Sequence, residues 1–488
     1  MSLLLALDQS TSGTKAVVFD TTGRTIDQAS REHRQIYPQP GWVEHDPEEI
    51  WQNTRTVIRE IAARQSGIIS LSITNQRETI LVFDRTTGRP LHNAIVWQCL
   101  RGEPICRELR EAGHEDLVAS RTGLKIDTYF SAPKLAWLIR EIPGLAAQLS
   151  SGAAVAGTID TWLIHRLTGG KVFATDPTNA SRTLLFDIGK LRWDDELCAL
   201  FQVPPRALAE IRDCTAHFGE TTVEGIFPNP LPICGVMGDS QAALFAQRCY
   251  EPGMAKATFG TGTSILLNAG DTRQSAGHGL VSALAWICQG QPAYACEGLI
   301  NTSAATIAWL KNQLGILNDP TESEALALSV SNSGGVYFVP AFAGLGAPHW
   351  KPEARAAIVG LTAHSSRGHI VRAALESIAF QIRDILEVMR SETNLDLRTI
   401  HADGAPTRNA LLMQMCADIT RTDFVVANVP EASSLGAVFA GLLGLGIQPN
   451  LDALAALPRR TRTYRPALSS LEADKLHSGW LTAVQRVL

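Results

Sequence analysis

No stretch of the chain is apolar for long enough to cross a membrane; a run such as 432–447 (ASSLGAVFAGLLGLGI) falls short and is broken by glycine. The opening MSLLLALDQS has no basic segment, and Asp8 cuts its apolar run short, so no secretory leader is expected. None of the nine cysteines forms a C-x-x-C pair, and their number is odd. That usage reads as reduced thiols filling the core of a cytoplasmic protein. The twelve histidines show no H-E-x-x-H spacing, which argues against a zinc site. Charge is scarce as well: 19% of residues are charged, and 43 Lys and Arg stand against 48 Asp and Glu for a net charge of −5. Such a chain has no bulk attraction for nucleic acid or for a membrane surface. Any anion it binds must be met by local donors.

What is present is a chain of 488 residues, 45% of them hydrophobic, enough for two or three domains with cores of their own. The first thirty residues read as a β-meander: LLLALD (3–8), the turn QSTSGT, KAVVFD (15–20), the turn TTGR and a third strand from TIDQAS. A helix is expected over 46–64, with Asp46 as its cap and Pro47 as its first residue. The strand ISLSITNQ (69–76) and a hairpin over 80–90 follow. The second half repeats the theme with GMAKATFGTGTSILLNAG (253–270), preceded by the buried-type strand PICGVMGD (232–239), and with a strand, turn and helix over 399–420. Two halves opening alike suggest an internally duplicated α/β unit. The division is expected between a domain of residues 1–248 and one of residues 249–488.

Two turns have the composition of phosphate cradles, DQSTSGT (8–14) and FGTGTS (259–264). Glycine lets backbone N–H groups approach an anion closely, and the hydroxyls of Thr11, Ser12 and Thr261 add donors without charge. Neither turn is a G-x-x-x-x-G-K-[ST] loop or a G-x-G-x-x-G fingerprint. Either alone could be an ordinary hairpin turn. One in each half points to a clamped nucleotide. Asp8, Asp239 and Asp403 end apolar strands, where side chains reach the ligand crevice of an α/β sheet. Phosphoryl transfer to an alcohol needs one carboxylate linked to Mg²⁺ and another to take the hydroxyl proton. Asp8, beside a phosphate-type turn, suits the first role, through water; Asp239 suits the second; Asp403 reads equally well as a turn or cap residue. Arg77 and Glu78, after the strand 69–76, form either a solvated turn or a polyol clamp. Trp97 and Tyr129 are aromatic faces that suit a polyol pocket, or core.

Together LALDQSTSGTKAVVFD, GWVEHDPEEIW, ITNQRET, NAIVWQC, TDPTNASRT, GDSQAALF, GMAKATFGTGTS and YFVPAFAGLGAPHW resemble the FGGY carbohydrate kinases, and among them the glycerol kinase branch. The similarity runs from about residue 3 to 480. It implies two actin/hexokinase-like domains, each on a ribonuclease-H-like α/β core, closing over a central cleft. ATP and Mg²⁺ are the implied cofactors, with the polyol held by the first domain and ATP mainly by the second. By position, Arg77, Glu78, Trp97, Tyr129 and Asp239 fall on polyol-contacting residues, with Asp239 as general base. Asp8 falls on the metal-linked aspartate, Thr11, Ser12, Gly260 and Thr261 on the phosphate loops, and Asn409 on the adenosine side. On this footing Arg77 and Glu78 are a clamp and not a surface turn. The branch is often dimeric or tetrameric, so a homo-oligomer is expected.

The sequence departs from the branch at several of these positions. Ser240 follows the base where glutamine is usual, and Ser264 stands where a phenylalanine packs on the substrate's carbons. Both changes open space. The acceptor is then either glycerol, in a refilled pocket, or a longer acceptor such as erythritol, threitol or xylulose. Lys15 replaces an arginine, keeping the charge and losing the fork, and Ala304 and Ala405 replace glycines near the nucleotide. A methyl group there is expected to restrict close approach or positive φ.

Overall fold

The computed structural model describes residues 2–274, 280–349, 351, 353–427, 429 and 431–488. The N-terminal meander is formed by Leu3–Gln9 (β1), Gly13–Asp20 (β2) and Thr25–Glu32 (β3), antiparallel in sequence order, with Asp8 opposite Lys15. Every residue of β1 is buried, as expected of a strand covered on both faces. β3 ends in exposed Ser30, Arg31 and Glu32, side chains that suit a sheet edge. Asp46 caps the helix Pro47–Arg64 (α1) by accepting from the Glu48 N–H at 2.9 Å. Ile50, Trp51, Thr54, Val57, Ile58 and Ile61 recur at helical spacing and form its buried face. Fully burying each of the large apolar ones contributes roughly 1.5–3 kcal/mol.

The chain separates into two units. The first comprises Met1–Tyr250, Ser282–Tyr294 and Pro430–Pro458; the second comprises Glu251–Val281, Ala295–Val429 and Arg459–Leu488. In the first, the sheet continues from β1 to Ile68–Asn75 and Leu231–Gly238, both parallel to it, and ends at antiparallel His217–Thr221. In the second, Met254–Phe259 pairs antiparallel with Thr263–Gly270 on one side and parallel with Thr399–Asp403 on the other. Parallel Asp423–Ala427 and antiparallel Thr461–Tyr464 follow. Five strands of each sheet thus repeat one succession of directions, in keeping with the duplication that the strand–turn–strand openings suggest. Each sheet has a core of its own, one around Leu5, Leu7, Ile58, Ile73 and Trp162, the other around Ile265, Val371, Ile378, Ile400 and Met413.

The first crossing between units, at Tyr250/Glu251, lies two residues from the expected 248/249 division, but the later segments depart from a single cut. Helix Ala432–Gly444 returns to the first unit and packs on Ile68–Asn75, Leu231–Gly238 and the helix Asp239–Ala246. Glycine permits that return: a Cβ on Gly436 would lie 1.8 Å from the Ala242 carbonyl oxygen. Asp239 is also displaced from its expected place. The strand stops at Gly238, and Asp239 is the first residue of the helix that follows. All nine cysteines are buried and outside any disulfide. Among the described residues, no helix is long and apolar enough to cross a membrane.

Candidate active site

The pairing register brings three strand ends of the first unit level with one another, since Gln9 and Gly238 both face Asn75. Asp8, the pair Arg77–Glu78 and Asp239 therefore gather at the carboxyl edge of one sheet, the ligand side of such folds. Arg77 Nε lies 3.1 Å from Asp239 Oδ1, and Arg77 Nη1 donates to Gln241 Oε1 at 3.2 Å. Gly238 makes the Arg77 path possible, because a Cβ there would meet Arg77 Cγ at 2.7 Å. The Asp239 side chain remains 42% exposed, accessible to a substrate hydroxyl while its partner Arg77 is buried. Glu78 is buried in the left-handed region at φ 64°, a strained position for a non-glycine residue. Arg182 Nε donates to Glu78 Oε1 at 2.6 Å. Burial raises the Glu78 pKa, and Arg77 and Arg182 oppose the rise.

The aromatic wall lies beside this pair. Trp97 and Tyr129 meet edge to face with centroids 5.4 Å apart, and Trp97 Nε1 donates to Thr11 Oγ1 at 3.0 Å. The Thr11 carbonyl in turn accepts from Gln35 Nε2 at 2.6 Å and bonds His33 Nε2 at 2.9 Å, so the first phosphate-type turn is braced from two sides. Ser12 is exposed at its tip. Fully buried Lys134 donates to the carbonyls of Thr128, Tyr129 and Phe130 at 2.6, 2.7 and 2.8 Å, which fixes the turn that carries Tyr129. Burial lowers the Lys134 pKa to about 7.

Asp8 is buried, and its pKa is pushed up to about 7. Burial is the chief cause; Lys15 opposes it, the charges of Asp239 and Glu431 add to it, and the Ser434 hydrogen bond opposes it. Lys15 Nζ bonds Glu431 Oε2 at 2.8 Å. The Ser434 hydroxyl donates to Asp8 Oδ2 at 3.3 Å and the Ser433 hydroxyl to the Asp239 carbonyl at 3.0 Å. The first turn of helix Ala432–Gly444 thus touches the Asp8 carboxylate and the Asp239 backbone, and its N-terminal dipole favours negative charge on Asp8. The sequence reading missed these serines because it treated the segment only as an apolar run. A second missed contact lies under Asp239. The Gly238 N–H donates to Thr178 Oγ1 at 2.7 Å, and Thr178 donates to buried Asp176 at 2.5 Å.

The second unit contains a pocket of about 760 Å³ bordered by Gly260, Thr261, Ala304, Ala405 and Asn409. The Gly260 and Thr261 carbonyls accept from Ala304 and Ala305 at 3.1 and 3.2 Å, so the second Gly/Thr turn is clamped to the start of helix Ala304–Asn312. Asn409 Oδ1 caps helix Ala410–Thr420 through the Leu412 N–H at 2.9 Å. Ala304 and Ala405 both have negative φ, and the positive φ falls on Gly404, at 99°. The expected positive-φ restriction from their methyl groups therefore does not arise.

Family models for the N-terminal and C-terminal domains of the FGGY family of carbohydrate kinases match residues 3–246 and 255–445. The chain belongs to this family. The glycerol kinase of Leptothrix cholodnii is 48% identical over the full length of both chains, and glycerol kinase 1 of Thermotoga maritima is 44% identical over 99% of each. The crystal structure of Plasmodium falciparum glycerol kinase with ADP superposes with a TM-score of 0.96 at 37% identity, covering 100% of this chain and 98% of that one.

For this FGGY-family chain, the first unit gathers Asp8, Thr11, Ser12, Lys15, Arg77, Glu78, Trp97, Tyr129, Asp239 and Ser240 at or near one sheet edge. Ser240 donates its N–H to Asp239 Oδ1 at 2.7 Å. Gly260, Thr261, Ala304, Ala405 and Asn409 share the pocket of the second unit. Ser264 does not border that pocket; it lies in the strand Thr263–Gly270, paired with Thr258, and among the described residues its buried Oγ has no hydrogen-bond partner. Among the described residues, no three side chains of metal-ligand type converge. The donor set near Asp8 nevertheless suits a hard divalent cation. The Asp239 charge raises the proton affinity of buried Asp8, and one carboxylate with phosphate and water oxygens is an ordinary Mg²⁺ environment.

Proposed function

We propose that the chain phosphorylates a terminal hydroxyl of glycerol with ATP, giving glycerol 3-phosphate and ADP. The observation that carries this reading is the Arg77–Glu78–Asp239 cluster, which sets a buried guanidinium and carboxylate beside an exposed carboxylate at one sheet edge. The first unit takes the acceptor and the second takes ATP, whose adenosine suits the apolar walls around Trp309 and Leu412. Arg77 donates to one acceptor hydroxyl and Glu78 accepts from the next, while Trp97 and Tyr129 cover the C–H surface. Asp239 takes the proton of the attacking hydroxyl. The new bond joins that oxygen to the γ-phosphorus, the bond to the bridging oxygen breaks, and ADP leaves. Each unit offers its own phosphate donors, Thr11, Ser12 and Lys15 in the first and Gly260 and Thr261 in the second. Bound Mg²⁺ supplies neutralisation of the polyphosphate charge, and Asp8 would hold it through water. We place the enzyme in the cytoplasm as a homo-oligomer.

The second reading is a longer acceptor, the alternative that Ser240 and Ser264 raise in the sequence. Coupled ADP release measured over glycerol, erythritol, threitol, xylitol, ribitol and xylulose decides the matter. Glycerol is expected to give the highest kcat/KM. A larger value for a four- or five-carbon acceptor would replace the glycerol reading.

A further inference from the structure

A second concavity of the first unit, of about 620 Å³, is bordered by Arg85, His165, Lys171, Arg206, Glu210 and Arg212 among others. Its size suits a small-molecule site, about 300–1,000 Å³. None of the residues assigned above to polyol, phosphate or metal borders it. Its charge runs against that of the chain, since four cationic side chains and one carboxylate meet here in a protein whose net charge is −5.

The one carboxylate is already engaged. Glu210 Oε2 accepts from Arg212 Nη2 at 2.7 Å, while Arg212 Nη1 donates to the His217 carbonyl at 3.1 Å. Among the described residues, the head groups of Arg85, Lys171 and Arg206 make no hydrogen bond or ion pair. Two of them are nonetheless held. The Arg85 guanidinium lies 5.1 Å from the centroid of the Phe173 ring. Arg206 Nε occupies the space a Gly152 side chain would need, 2.9 Å from where its Cβ would stand. The backbone beneath is fixed by paired Ala174–Thr175 and Glu210–Ile211 and by the Arg212 N–H, which donates to the Thr175 carbonyl at 2.9 Å. His165 Nε2 bonds the Arg85 carbonyl at 2.9 Å, and burial lowers its pKa, so it contributes anchorage and no positive charge.

Like charges crowded into one concavity repel unless an anion joins them. Guanidinium forks match the geometry of phosphate oxygens, and Lys171 adds a point charge. Arg85 already covers the Phe173 ring, so that ring is not a free platform for a nucleobase. We propose that this concavity binds a small non-nucleotide phosphate ester, a phosphate dianion carried on a polar body.

The test is isothermal titration calorimetry of the full-length protein at fixed ionic strength, with saturating ADP and glycerol present. The probe is glucose 6-phosphate; glucose, inorganic phosphate and citrate are controls. One saturable site for glucose 6-phosphate is expected, weakened about tenfold or more by Arg206→Ala and by Lys171→Ala, a change of about 1.4 kcal/mol. ADP-release kinetics of both exposed-surface variants should stay near wild type, which separates this site from the kinase reading. Absence of saturable binding, or binding that both variants leave unchanged, would overturn the proposal. Citrate binding as tightly would reduce the concavity to bulk charge, and inorganic phosphate binding as tightly would remove the ester from it.

Discussion

The two units carry one succession of strands and load its ends differently. The carboxyl edge of the first sheet holds Asp8, Arg77, Glu78 and Asp239, with charges paired at 3.1 and 3.9 Å. The corresponding edge of the second leads into Gly260, Thr261, Ala405 and Asn409, uncharged residues bordering a pocket of about 760 Å³. The scaffold is common and the chemistry is not. The two sheets offer equivalent strand ends, and the residues after each strand differ in the chemistry they bring there.

Substitutions should separate the two edges. The largest effect is expected from Asp239→Asn, which removes the proposed proton acceptor and keeps the shape. Turnover should fall about 10²–10⁴-fold with KM for glycerol nearly unchanged, and steady-state kinetics showing near-normal kcat would end the base assignment. Arg182→Leu leaves the buried Glu78 carboxylate without its 2.6 Å partner and should cost about 3–5 kcal/mol, read by urea unfolding. Thr178→Val removes the acceptor of the Gly238 N–H and should cost about 1–3 kcal/mol. If Thr178 only stabilises the fold, kcat will hold; if it positions Asp239, kcat will drop with it.

The pH dependence tests the first edge from another side. The Asp8 pKa is raised in the fold from 3.8 to about 7, so the folded state holds the proton more tightly than the unfolded chain. That contribution to stability is complete below the unfolded value and is lost as pH rises through about 7. In metal-free, nucleotide-free protein, Asp8→Asn should therefore flatten the fall in stability between pH 4 and 7, by at most about 1.4 kcal/mol per pH unit. An unchanged slope would place the proton on another buried carboxylate whose pKa burial raises, such as Glu78 or Asp160 of helix Ile159–Leu167. The smallest effect belongs to the second edge. Asn409→Ala loses a helix cap worth about 1 kcal/mol and should raise KM for ATP while leaving KM for glycerol alone.

Local chemistry made much of this readable from the residues. Alternating and apolar runs bounded by Gly, Ser and Thr turns marked β1, β2 and the strands within 253–270 and at 399–403, and Asp46–Pro47 marked the start of α1. The Arg77–Glu78 pair was less legible, because a charged dipeptide after a strand looks the same on a surface as in a pocket. Burial beside Arg182, 104 residues on, distinguishes the two. Ser433 and Ser434 carried no usable signal, since small polar residues opening an apolar helix are common at any N-terminus.

By itself the sequence determined the elements, the two Gly/Thr turns and the family, because caps, turns and periodicity act over a few residues. The tertiary structure alone decided which groups meet. Ser434 reaches Asp8 across 426 residues, and the segments 282–294 and 430–458 belong to the first unit. Those outcomes depend on burial and close packing at glycines such as Gly436, properties of the assembled core. Burial also sets the proton affinity of Asp8, which the free side chain does not possess.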